Sequence, residues 1–114
     1  MSATPSAVAA VIETVRVILS RTATGTTVVV CPDDGLHIRT FRRYTPVLLP
    51  EGATRSGHTV TRPDGSRVTF LGCSDLDAAP SGVPFVVEFI GWGTDVMSDA
   101  NLIKRWIDLA ASAQ

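Results

Sequence analysis

The sequence predicts an α/β fold: a single layered domain over residues 1–114, with N- and C-terminal helices packed on a mixed sheet of about four strands. Three observations carry this prediction. Apolar residues recur at helical spacing near both ends of the chain, a run of β-branched residues without alternation lies between them, and two alternating segments are joined by a proline–glycine turn. A chain of 114 residues fits one core, and 45% apolar with 18% charged residues is too apolar and too weakly charged for a disordered segment.

The first helix is expected to start at Thr4-Pro5, with Thr4 as N-cap and Pro5 at the position where a missing N–H costs nothing. Val8, Val11, Ile12, Val15, Ile18 and Leu19 form its apolar stripe, and the helix should end near Gly25. "TTVVVC", Thr26 to Cys31, suits a central strand covered on both faces, as in parallel sheets. After it, "PDDG" admits two continuations. Asp33 caps a helix carrying Ile38, Phe41 and Tyr44, or Asp34-Gly35 turns a hairpin into the strand "LHIRTF". The helix is favoured, because antiparallel hairpins less often follow a strand buried on two faces.

Pro46 to Gly57 holds two prolines and two glycines and reads as a loop. His58–Arg62 and Arg67–Leu71 then form a hairpin around Pro63-Asp64-Gly65-Ser66, where proline presets φ and glycine accepts φ > 0. "SDLDAAPSG" reads as a loop or a short helical turn, and "PFVVEFIG" as a strand apolar enough for the sheet interior. Ser98 or Asp99 should cap a last helix whose buried stripe is Leu102, Ile103, Trp106, Leu109, Ala110 and Ala113.

Composition narrows the chemistry. A net charge of −1 and a pI near 6.0 give no global attraction to nucleic acid or an anionic membrane surface, so an electrostatic partner must meet a local patch. No apolar run reaches the length of a membrane span, and Glu13 and Arg16 interrupt the N-terminal stretch that a secretory signal would need. Two cysteines are too few for a disulfide scaffold and suggest a reduced, cytoplasmic setting. Lys104 is the sole lysine and follows no glycine-rich loop. A Walker-type ATPase needs both, so that activity is not expected of this chain alone, and no cofactor is expected.

A helix, then "TTVVVCP", a helix rich in basic and aromatic residues, "DGSRVTFLG" and "VPFVVEF" follow one another over roughly residues 8 to 92. In order and spacing this resembles the RecA-like ATPase core of phage large terminases, from the helix after the P-loop to the Walker B strand. That family ends the last strand in two acidic residues, one for magnesium and one for catalysis. Glu88 matches the first, and Phe89 stands at the second. With the P-loop absent as well, the resemblance implies a terminase-like architecture, and a phage setting, without the activity.

Candidate site residues fall into three groups. Glu88 shares a strand face with Val86 and Ile90, so it must lie near the sheet edge, pair with an arginine or hold a metal; the structural reading is favoured. Asp33, Asp34 and Asp75 could join it as oxygen ligands of a divalent cation in a small hydrolase or nuclease, although aspartates at such positions are commonly turn and cap residues. Cys31, His37, His58 and Cys73 do not have the close paired spacing of zinc modules.

The third group is basic. Residues 36–72 carry a balance of +4 and residues 73–114 one of −4. Arg39, Arg42 and Arg43 beside Tyr44 are the strongest part, since guanidinium groups grip phosphates and stack on bases; the alternative is a solvated face paired with the protein's own acids. Trp92, between two glycines, either plugs the core, the favoured reading, or anchors a partner. The expected function is a non-catalytic interaction domain. Its partner would be a protein or a second copy of the chain, or nucleic acid through the Arg39–Arg43 region, with a self-assembling structural subunit as a further possibility.

Overall fold

In a computed structural model, which describes residues 5–92 and 100–113, the chain folds as α1 (Pro5–Ser20), β1 (Thr26–Cys31), α2 (Leu36–Leu48), β2 (Thr54–Ser56), β3 (Thr59–Thr61), β4 (Arg67–Gly72), a 3-10 turn (Leu76–Ala78), β5 (Phe85–Phe89) and α3 (Ala100–Ser112). The sheet order is β2-β3-β4-β1-β5. β1 lies between β4 and β5 and is parallel to both, whereas β2, β3 and β4 are antiparallel neighbours. The fold class is the α/β arrangement that the sequence predicts, with five strands among the described residues instead of about four.

Two cores lie on opposite faces of the sheet. Val29, Cys31, Val60, Val68 and Phe70 face α1 and α2, meeting Val11, Val15, Ile18 and Leu19 of the first helix and Ile38, Phe41 and Leu48 of the second. The Phe41 and Phe70 rings stack there at 4.4 Å between centroids. On the other face Val28, Val30, Leu71, Cys73 and Phe85 meet Trp106 of α3, with Leu76 of the 3-10 turn at the margin. Both faces of β1 are therefore covered, which is why its six residues carry no alternation. The predicted stripes of α1 and α3 are the residues that turn inward, and the cap positions Thr4, Ser98 and Asp99 lie outside the described residues.

The helix is the continuation that follows β1, but Asp33 does not cap it. Gly35 occupies the N-cap with no side-chain bond, and Asp34 takes a positive φ of 53°. α1 stops at Ser20, short of Gly25. The expected loop from Pro46 to Gly57 is also corrected. α2 continues through Pro46 to Leu48, because a proline in the last turn gives up only its bond to the Arg42 carbonyl. Gly57, at φ 60°, then supports a tight turn joining β2 to β3, with Ser56 opposite Thr59. Finally, among the described residues β5 pairs with β1 alone, which places it at the sheet edge and not in the interior.

The predicted β3–β4 hairpin does more than close a turn. Gly65 adopts φ 88°, its N–H donates to the Arg62 carbonyl at 3.0 Å, and Ser66 donates from its backbone and hydroxyl to Asp64. Those two bonds hold the exposed Asp64 carboxyl below its ordinary range. Arg62 is 5% exposed. Its guanidinium donates to the carbonyl oxygens of Leu19 at 3.0 Å and Ile18 at 2.7 Å and to the Ser66 hydroxyl at 3.0 Å. The hairpin thereby supplies the C-terminal cap of α1, satisfying carbonyls that a helix end leaves open and placing a cation at the negative end of its dipole.

Candidate functional site

The solvent face of α2 collects the basic residues. Arg39, Arg42 and Arg43 are spaced i, i+3, i+4, so they share one side of the helix while Ile38, Phe41, Thr45 and Leu48 fill the other. All three arginines are exposed, and Val47 on the same outer side is 79% exposed. Arg43 lies over the Tyr44 ring at 5.5 Å, a cation–π contact that orders the guanidinium without neutralising it. The nearest acid to Arg42 is Asp34, at 3.9 Å, the limit of an ion pair, with the carboxylate 90% exposed. Among the described residues Arg39 and Arg43 have no acidic partner. Tyr44 is half-buried against the first core.

At the carboxyl ends of β1 and β4 the following segments diverge, α2 onto one face and the 3-10 turn onto the other, the arrangement that opens ligand crevices in α/β sheets. An open cleft of about 270 Å³ lies there, lined by Asp33, Asp34, Arg42, Gly72, Ser74 and Asp75. Asp75 accepts the Gly72 N–H at 3.0 Å and Asp33 accepts the Ser74 N–H at 3.2 Å. Both carboxylates crowd Gly72, where a methyl group would overlap Asp33 Oδ1. The structure therefore brings together Asp33, Asp34 and Asp75 and uses two of them to fix local backbone.

Glu88 is not part of this cleft. It lies opposite Val29 on the face of α1 and α2, where both of its oxygens accept from the Arg21 guanidinium, one at 3.1 Å and the other more closely. An arginine-paired carboxylate on an edge strand is what a half-buried charge requires there. No group of three or more histidine, cysteine, aspartate or glutamate residues capable of holding a metal occurs among the described residues.

The thiols are also apart. Cys31 belongs to the first core and Cys73 to the second, both buried, and burial pushes the Cys31 thiol up to about 12, which removes thiolate chemistry at neutral pH. Trp92 is half-buried in the second core. Its Nε1–H donates to the Val30 carbonyl at 3.1 Å and its ring meets Phe89 edge-on at 6.4 Å. His58 lies away in the β2–β3 turn, with a buried Nδ1.

His37, in the first turn of α2, packs against Gly91, where an added methyl would come within 2.6 Å of Nδ1. Burial lowers its pKa from the ordinary 6.5. A base whose folded pKa is depressed disfavours its protonated form in the fold, so the stability is full above pH 6.5 and is lost as pH falls toward and through the folded value. Thermal melts between pH 8 and 5 are expected to show a steeper loss for the wild type than for His37→Gln. Parallel curves would show that this imidazole contributes nothing to the acid limb.

Sequence reasoning did not identify Arg21 as the partner of Glu88 or Arg62 as a buried cap. Both are isolated arginines at element ends, with no local signal of what they contact across the fold. Comparison with protein-family models, with curated proteins and with solved structures finds no match in any of the three.

Proposed function

We propose that this chain is a non-catalytic interaction domain that binds an anionic macromolecule through the outer face of α2. The observation supporting this is the set of three adjacent exposed guanidiniums with almost no internal neutralisation: Arg39 and Arg43 meet no carboxylate among the described residues, and Arg42 only a distant, solvated one. Unpaired arginines side by side repel one another, and an anion relieves that repulsion while accepting bidentate bonds. Phosphodiesters and carboxylate-rich peptides both offer this chemistry. A terminase-like, phage-derived architecture without a nucleotide site is compatible with such a role. A cytoplasmic location belongs to the same proposal, in keeping with a chain that carries two cysteines, too few for a disulfide scaffold.

Fluorescence anisotropy with a labelled oligonucleotide and with polyglutamate, over a range of salt concentrations, tests the reading and separates the two partner classes. Replacing Arg39, Arg42 and Arg43 together with alanine is expected to weaken binding at least tenfold. For a single-stranded oligonucleotide it should also flatten the logarithmic salt slope by about 0.7 per lost phosphate contact. Absence of binding to either polyanion, or an unchanged slope in the folded triple variant, would refute it.

A further inference from the structure

Arg55, on β2, is built into the core that carries α2. It lies opposite Val60, which lies opposite Val68, and both valines belong to the first core, so Arg55 stands on the α1–α2 face of the sheet. Its guanidinium lies over the Phe41 ring, 4.9 Å from the centroid. The Phe70 ring stacks on the same phenylalanine at 4.4 Å and within 17° of parallel. Phe70 rises from β4 and Arg55 from β2, on either side of β3, so Phe41 lies between them and the guanidinium is the outermost layer of the stack.

That layer is ordered and uncompensated. The Arg55 Nε–H donates to the Gly57 carbonyl at 2.8 Å, so the head group is held both by the ring and by the backbone. Among the described residues it pairs with no carboxylate, and its side chain is only half-buried. A guanidinium is planar, so a group covered on one face offers the other as a flat, charged surface. β2 is the last strand on that side among the described residues, so the sheet does not continue past it. The stack also lies beside the arginines of α2. His37 of that helix meets Gly91, beyond β5, whereas Arg42 lines the cleft beyond β4. Given the strand order, Arg42 is on the flank of α2 that looks toward β2, and Arg55 lies below that flank, against the residue preceding Arg42.

We infer that the partner of α2 is a single-stranded nucleic acid, one base of which stacks on the outer face of Arg55 while its phosphates meet Arg42, Arg39 and Arg43. For the phosphate contacts this rests on the anion-binding reading of α2, and it adds the class of polyanion that the reading leaves open. Carboxylates supply charge for the arginines but no flat ring system for Arg55. A duplex keeps its bases paired and stacked on one another, away from a side chain placed here. An unpaired strand supplies both charge and ring. Because Phe41 and Gly57 already hold the guanidinium, a base meets it without the entropy cost of fixing a free arginine.

Anisotropy with a labelled oligoadenylate, with an abasic strand of equal phosphate count and with polyglutamate tests this on the full chain, on Arg55→Lys and on the triple alanine variant of α2. The wild type is expected to hold the adenine strand roughly fivefold or more tighter than the abasic one. Arg55→Lys keeps the charge and loses the plane, so the two affinities should converge. The triple variant should weaken both strands in parallel and preserve their ratio. Because that ratio is internal to each protein, a partly destabilised variant does not imitate the result, and circular dichroism confirms that each is folded. In NMR spectra the Arg55 Nε–H signal should move upfield with the adenine strand and stay in place with the abasic one. Equal affinity of the wild type for both strands, or a preference that Arg55→Lys retains, overturns the base contact and leaves the α2 reading standing. A preference lost in Arg55→Lys while the triple variant binds like the wild type overturns the α2 reading and leaves the base contact. Binding of polyglutamate alone overturns the inference, and binding of none of the three overturns both.

Discussion

Replacing Arg62 with alanine is expected to lower the unfolding free energy by about 3 kcal/mol, the cost of removing a charged donor from three buried or partly buried acceptors. For a domain of this size that corresponds to a fall in Tm of roughly 12–20 °C. The size of the effect follows from what is left behind. The Ile18 and Leu19 carbonyls sit at the end of α1, beneath a side chain that is 5% exposed, so water does not replace the lost donor without opening the structure. Arg62→Met keeps most of the volume and should recover little, because packing is not what is lost. Arg62→Lys restores the charge without the planar fork that reaches both carbonyls and Ser66 together, so it should recover only part. Urea denaturation of the three variants provides the ranking; a loss below about 1 kcal/mol for alanine would show the cap to be solvated and dispensable.

Trp106→Ala is expected to cost about 4 kcal/mol, the largest single effect of side-chain truncation in the second core. Trp106 is the one fully buried residue of α3, at 0% exposure, and its Nε1–H donates to the Cys73 carbonyl at 2.8 Å. Trp106→Phe separates the two contributions. It keeps a ring in the cavity but leaves the Cys73 carbonyl without that donor, and should cost about 1–3 kcal/mol. Because the rest of the buried stripe of α3 is only half-covered, losing this residue should release the helix before the sheet melts. Amide exchange along α3 would then accelerate more than exchange along β1 or β4. Equal acceleration throughout would mean that α3 and the sheet unfold as one unit.

Legibility from the sequence follows how far each interaction reaches. α1 and α3 were readable because their apolar spacing is a local property, and the β3–β4 hairpin because proline and glycine specify turn geometry directly. β2 was hidden because three polar residues carry no periodic signal, and Gly57-His58 was not recognised as a tight turn. The edge position of β5 was unreadable for a different reason. An apolar strand looks the same whether a neighbour covers it or a salt bridge shields its charge, and the Arg21–Glu88 pair spans 67 positions. The acidic residues at the strand ends illustrate the same limit within the candidate site. Their placement was legible, but their use as acceptors for Gly72 and Ser74 depends on backbone that only the fold brings near. The arginines of α2 were legible both as a set and as an outward face, since that follows from the helix period once the helix is chosen.

The bond from Arg62 to Leu19 joins residues 43 positions apart. During synthesis the first helix therefore leaves the ribosome well before the hairpin that caps it exists, and at ordinary elongation rates the interval is a few seconds. Until then the helix has neither its sheet nor its terminal cation, so its apolar stripe is exposed to chaperones, to proteases and to neighbouring nascent chains. A pause in translation before the hairpin and β4 have cleared the ribosome would lengthen that exposure.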